Sequence, residues 1–383
     1  MYRIGIECES IEEGEQWGVG RIVSKLIEEI AKRPELVDEF RFYLYFKSRI
    51  PDNIHLASPI FIKKIVKIPF ARPSFSLYYY VFLPIKLYFE KLDVMFYPNY
   101  MLPLIHKGKS IVTLTGDIYY EIRNKNLPFR YRLAYKIFAE HAARHATAIT
   151  SVSETAAKEV SELFKIPKER VFATPLGVDT DKLQKTTNHK PQTTNYLLFV
   201  GQAFPRRHLR ETIIAVDELV NDFPELKLVA VGKDKYQLPI IEELAYKINK
   251  KHGKEVIIYK DYVPEKELLA LYQNANSFIY VSPHEAFGLP PLEALAAGTV
   301  PIVADTKLND EIYGENAFKV SEPISISGIA KAIKESLTNQ QKRQQILNAA
   351  PKILEKYTWK EHTSLFLEII RKVTETKNSN SKF

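Results

Sequence analysis

At 383 residues, with 45% hydrophobic and 26% charged residues, the chain has the balance of a water-soluble protein large enough for two domains. No apolar run approaches the roughly 18 residues of a membrane-spanning helix. The start, residues 1–6, reads as a strand rather than a leader, and the single cysteine, Cys8, excludes an internal disulfide framework and makes the cytoplasm the expected compartment. The net charge of +8 is concentrated, because residues 51–150 carry 14 Lys+Arg against 6 Asp+Glu.

Arg3-Ile-Gly-Ile-Glu7 reads as a first strand. Trp17-Gly-Val-Gly-Arg21 is a glycine turn ahead of a helix whose apolar face is Ile22, Val23, Leu26, Ile27 and Ile30. Strand, glycine loop and helix open an α/β sheet, in which ligands gather at the carboxyl ends of strands. Gly18 and Gly20 let backbone come close to such a ligand. Phe40-Arg-Phe-Tyr-Leu-Tyr-Phe46 alternates as a second strand. Residues 68–84, inside the basic region, are dense in aromatics. A core helix with a solvated basic rim accounts for that composition, and the functional readings are nucleic acid, an anionic membrane surface or an acceptor-binding face.

Residues 93–97 and 110–115 look like later parallel strands, the second leading into Gly116-Asp117, so Asp117 is expected at a carboxyl end. Residues 129–147 form a long helix. Its His141 and His145 stand four apart, but with no third ligand and no intervening catalytic glutamate they predict no metal site. After a strand over 148–153, Ser151 or Ser153 caps the next helix, with Glu154 closing a capping box from Ser151. The polar stretch 184–194 is the best domain boundary. A second α/β domain follows: a strand over 196–200, the basic loop Gly201-Gln-Ala-Phe-Pro-Arg-Arg-His208, strands over 226–232 and 255–259, and a helix over 265–273.

That helix leads into the central unit. Residues 276–282 form a buried strand, a loop holds Glu285, and a helix starts near Leu289 with Pro290 and Pro291 in its first turn and Glu293 just beyond. The N–H groups of Phe287, Gly288 and Leu289 point out of this helix start, which attracts an anion. An anion site between two carboxylates suits a ligand bearing phosphate and hydroxyl groups, such as a nucleotide-sugar. Residues 299–304 form the next strand, and 359–373 an amphipathic helix ahead of a frayed tail.

Val281-Ser-Pro-His-Glu-Ala-Phe-Gly-Leu-Pro-Pro-Leu-Glu293, running on to Gly298, resembles the E-x7-E signature of the retaining glycosyltransferases of family four. Pro205-Arg-Arg, Tyr262-Val-Pro-Glu-Lys-Glu-Leu-Leu-Ala-Leu-Tyr272 and the Tyr97–Pro103 segment extend the similarity over nearly the whole chain. The resemblance implies a GT-B fold: an acceptor-binding Rossmann-like domain over 1–184 facing, across a cleft, a nucleotide-sugar-binding one over 195–358. Residues 359–383 are then a helix crossing back to the first domain plus the tail.

The activity implied is that of a hexosyltransferase moving a mannose- or glucose-type sugar from a GDP- or UDP-sugar to a glycan or lipid-linked hydroxyl, with retention and without a metal or other cofactor. Glu285 would hold the transferred sugar, Glu293 the ribose hydroxyls, and Phe287, Gly288 and Leu289 the diphosphate. Arg206 and Arg207 would neutralise the leaving diphosphate. Val263 would meet the base, and Gly18 and Gly20 would border the donor. Glu285, Arg207 and Asp117 are the catalytic expectation, and Arg21, Asp117 and Tyr119 the acceptor-side one. Gly116 stands where many relatives carry histidine, and Ala286 where they often carry glycine. The basic aromatic stretch adds an expected weak contact with an anionic membrane surface. A nucleotide-sugar epimerase of the same fold and a non-catalytic nucleic-acid-binding protein are the rival readings, the second without any recognisable motif.

Overall fold

The computed structural model describes residues 1–12, 18–69, 74–116, 129–184 and 196–376. The chain divides into two compact units, residues 1–177 with 359–383, and residues 178–358. The first unit is built on β1 (Tyr2–Glu7), β2 (Phe40–Phe46), β3 (Phe61–Ile65), β4 (Val94–Tyr97), β5 (Ser110–Thr113), β6 (Ala148–Ser151) and β7 (Val171–Ala173). All pair in parallel in the order β3-β2-β1-β4-β5-β6-β7. The second unit holds β8 (Tyr196–Val200), β9 (Lys227–Val231), β10 (Ile257–Lys260), β11 (Ser277–Tyr280), β12 (Val300–Ala304) and β13 (Phe318–Val320), again parallel, in the order β10-β9-β8-β11-β12-β13. Each is a Rossmann-like sheet, with the strand order reversing between β1 and β4 in one and between β8 and β11 in the other. A reversal leaves a crevice at the carboxyl ends of those two strands, where this class of sheet takes its ligands.

Near-continuous apolar strands such as Tyr196-Leu-Leu-Phe-Val200, buried at all five positions, are what a parallel sheet covered on both faces requires. The helix Trp359–Glu375 completes the core of the first unit. Phe366, Leu367, Ile370 and Val373 pack with β1, β2 and the helix Val19–Ala31, and Arg371 holds Glu39 through two bonds of 2.6 and 2.8 Å.

Three details differ from expectation. The units divide at 177/178, ahead of the polar boundary. The helix Thr180–Gln184 lies in the second unit because Leu183 is buried there and its carbonyl accepts from Gln273 at 2.7 Å. The glycine turn is shorter than its sequence suggests. The helix begins at Val19, so Gly20 and Arg21 lie inside its first turn, and only Gly18, at φ 55°, has the conformation that favours glycine. Ser153 caps the helix Glu154–Phe164, accepting from Ala156 N at 3.0 Å, whereas Ser151 still belongs to β6 and donates to the Leu114 carbonyl at 2.5 Å. Asp117 and Tyr119, with the polar boundary 185–194, fall outside the described residues.

Candidate functional site

The second unit's reversal point is formed by the loops that follow β8 and β11. After β8 the chain turns at Gly201 (φ 143°), where a Cβ would come 3.2 Å from Arg207 Nη1 and from the Tyr280 ring. Across from it, a Cβ at Gly232 would collide with the Gly201 carbonyl, so both strand ends need glycine to lie this close. Pro205 then starts a single turn, Pro205–Arg207, which ends at His208 in the left-handed conformation (φ 49°). That turn delivers two guanidinium groups to one place, with the Phe204 ring 4.6 Å from the Arg206 cation and 5.4 Å from that of Arg207.

Glu285, five residues beyond the end of β11, meets them. Arg207 grips its carboxylate with Nε at 2.8 Å and Nη2 at 3.2 Å, a two-pronged match of planar groups. Arg206 Nε stands 4.0 Å from the same carboxylate and donates to the His284 carbonyl at 3.3 Å. The hydroxyls of Ser282 and Tyr280 add bonds of 3.0 and 3.2 Å to Oε1. Burial pushes the Glu285 pKa up, but the charge and hydrogen bonds of Arg207, then Arg206 and Ser282, outweigh it and hold the group below its ordinary value. Glu285 is therefore an anion at neutral pH.

The helix Leu289–Ala296 starts from Gly288 at φ 83°. Pro290 and Pro291 remove two N–H groups from its first turn, leaving those of Phe287, Gly288 and Leu289, none of which has a hydrogen-bond partner among the described residues. Glu293 lies within this helix, buried, with Oε2 accepting from the Tyr272 hydroxyl at 3.0 Å. Val263, buried beside exposed Tyr262, follows β10.

Thus Arg206, Arg207, Glu285, Phe287, Gly288, Leu289 and Glu293 share one unit and border its reversal point, with Val263 on the loop after β10. Gly18, Gly20 and Arg21 lie in the other unit, around the start of the helix that follows β1. Gly116, also there, has the Glu159 carboxylate where a Cβ would stand, so a side chain at this position requires Glu159 to swing aside. Three residues of the site went unread in the sequence. Tyr280 and Ser282 orient Glu285, and Tyr272 orients Glu293. Tyr280 and Ser282 lie two apart on and just past β11, so they share a face; only that period-two spacing could have marked them. Among the described residues no group of three His, Cys, Asp or Glu gathers that could hold a metal ion.

Comparison with known proteins bears on the second unit. The profile of the glycosyl transferases group 1 family matches residues 180–353, a span that contains the whole site above. The second unit is therefore similar to the group 1 glycosyltransferases. The chain is 26% identical over 257 residues to the O-antigen chain mannosyltransferase B of Escherichia coli, covering 64% of this chain and 66% of that protein. It is 24% identical over 237 residues to the serotype-specific mannosyltransferase WbdA of Escherichia coli, covering 58% of this chain but 28% of that one. The chain therefore matches less than two thirds of the length of these curated relatives. Among solved structures, WaaG, a glycosyltransferase involved in lipopolysaccharide biosynthesis, aligns with a TM-score of 0.68 at 18% identity, covering 97% of this chain and 99% of that one. That likeness is one of fold: the chain has the GT-B architecture of two parallel-sheet α/β units.

Proposed function

We propose that the chain is a retaining hexosyltransferase that moves a sugar from a nucleoside diphosphate donor to a hydroxyl of a glycan or lipid-linked acceptor, without a metal. The observation that carries this reading is the Arg207–Glu285 pair beside the three N–H groups of residues 287–289. A diphosphate on those N–H groups competes with Glu285 for the guanidinium groups. As Arg206 and Arg207 turn toward the diphosphate, the Glu285 carboxylate is released to accept hydroxyls of the sugar, still oriented by Ser282 and Tyr280. Glu293, steadied by Tyr272, takes the ribose hydroxyls, and the backbone at Val263 meets the base.

In the reaction the bond from the sugar C1 to the diphosphate oxygen breaks and the acceptor oxygen bonds to C1 on the same face. The departing diphosphate oxygen takes the acceptor's proton, so the chain's own contribution is placement and stabilisation of the growing negative charge. Asp117 and Tyr119 belong to the acceptor side of this proposal. Mannose is the first sugar to test, because two relatives are named as mannosyltransferases, with GDP and UDP as the carriers. An acceptor held at a membrane surface fits the basic first unit.

The test is nucleotide release by the purified chain from GDP- and UDP-linked mannose and glucose, with and without a chelator, and proton NMR of the product anomer. Release insensitive to the chelator, with an α-linked product from an α-linked donor, is expected. No release from any donor, or isomerised donor without transfer, would overturn the reading.

A further inference from the structure

The first unit carries an outer face that a water-exposed surface does not explain. The helical stretch 75–88 buries Tyr78, Tyr79 and Leu83 in the same core cluster that takes Ala139, Ala142, Ala143 and Ala146 of the helix Phe129–His145. The two helical segments also touch directly, with the rings of Tyr80 and Phe138 stacked 4.6 Å apart. Because both bury one side in one cluster, their opposite sides lie on one outer surface.

That surface is apolar. Leu77, Val81, Ile85 and Tyr88 recur at helical spacing along the exposed side of the first segment, and Phe89 ends it 78% exposed. Leu133 and Ile137, one turn apart, do the same on the second helix, following Phe129, which is 70% exposed. The neighbouring loop adds Leu104 and Ile105, the latter 74% exposed, and reaches the first segment through Lys107, whose ammonium lies 4.5 Å from the centre of the Tyr88 ring.

The charge at this surface selects its occupant. Lys86, Lys91, Lys107, Arg130 and Lys136 belong to the same segments or directly follow them, and the carboxylates there are paired: Glu90 with Lys64 at 2.6 Å and Lys86 at 3.3 Å, and Glu140 with Arg144 at 3.5 Å. The face lies inside the 51–150 region that holds the protein's entire charge excess. A second copy of the same face would set these like charges against each other. We infer that this face docks the first unit on an anionic phospholipid bilayer, its apolar side chains entering the headgroup–acyl boundary and its lysines and arginines meeting lipid phosphates. The inference deepens the membrane part of the proposed function, yet its test needs no sugar transfer, so the two can fail separately.

The experiment is co-sedimentation of the purified full chain with vesicles of phosphatidylcholine alone or containing about 30 mol% phosphatidylglycerol, at low and high salt. It is run on the wild type, on Ile85→Ser/Phe89→Ser and on Leu133→Ser/Ile137→Ser, with thermal melting to verify that each variant folds. Expected are binding to the anionic vesicles only, weakening with salt, and a drop of at least about tenfold in either pair of substitutions at unchanged melting temperature. The inference is overturned by failure of the wild type to bind anionic vesicles, or by binding that folded variants of both pairs retain. Concentration-dependent dimerisation abolished by the same substitutions would also overturn it, since the face would then join copies of the chain.

Discussion

Each unit carries a glutamate at its strand-order reversal, on the first strand of the reversal in one unit and after the second in the other. Glu7 is the last residue of β1, at the reversal between β1 and β4, and Glu285 follows β11, at the reversal between β8 and β11. Each accepts a tyrosine hydroxyl, Glu7 from Tyr78 at 3.1 Å and Glu285 from Tyr280 at 3.2 Å. Their neighbours then diverge. Glu285 faces two guanidinium groups and is held below its ordinary pKa. Glu7 is wholly buried, and burial, with the charges of Glu9 and Glu12 nearby, pushes it from 4.5 up to about 8 despite the bond from Glu9 N. The two reversal points thus hold a neutral buried acid in one unit and a fixed anion in the other. The deciding difference is the Pro205–Arg207 turn, and nothing in the sheet itself.

The comparison is broken most strongly at Glu285. Glu285→Gln keeps the shape but removes the charge that pairs Arg207, and donor turnover is expected to fall on the order of 10²-fold or more in steady-state nucleotide release. Arg207→Ala is expected to cost about 10²-fold in kcat/KM, with most of the loss in kcat if the guanidinium acts on the leaving diphosphate. Wild-type kcat in this variant would contradict that role.

At Glu7 the readout is stability. A carboxyl whose folded pKa is raised stabilises the fold fully below its unfolded value near 4.5 and loses that contribution as pH rises through about 8. Glu7→Gln retains an acceptor oxygen for Tyr78 and Glu9 N, so it is expected to remove this alkaline loss and to be more stable than wild type by on the order of 1–3 kcal/mol at pH 9. Denaturant titrations of both proteins at pH 5 and pH 9 check the sign. A smaller effect is expected from Tyr272→Phe, which frees Glu293 from its hydroxyl partner. KM for the donor should rise about threefold to tenfold, with kcat nearly unchanged.

The donor half of the site was legible because its information is local. Glu285, Gly288, Pro290, Pro291 and Glu293 fall within nine residues, and prolines with a glycine fix where the helix starts. The partners that orient the two acids lie outside that run: Tyr272 sits on the preceding helix, where no spacing ties it to Glu293, and Tyr280 is marked only by its two-residue spacing from Ser282. Short or half-exposed strands were equally silent. β3 reads Phe-Ile-Lys-Lys-Ile, with one buried position in five, and β7 has three partly buried residues, so neither shows the alternation that marks a strand. Gly20 was misplaced because a glycine inside the first turn of a helix looks, in sequence, like part of the loop before it. Ser151 and Ser153 read as alternative caps, and the capping box from Ser151 fails, because a serine ending a strand and one capping a helix two residues later look alike in sequence.

The helix Trp359–Glu375 has a consequence for how the protein is made. Because it supplies Phe366, Leu367, Ile370 and Val373 to the core around β1, the unit that emerges first from the ribosome is the last to be finished. Residues 178–358 form a compact unit of their own and can fold as soon as they are out, while the N-terminal sheet waits with part of its core open to solvent. Synthesis from the N-terminus therefore leaves the basic, apolar-faced unit incomplete through the whole translation of its neighbour. A stop placed directly after residue 358 spares the second unit and leaves the first without its closing helix.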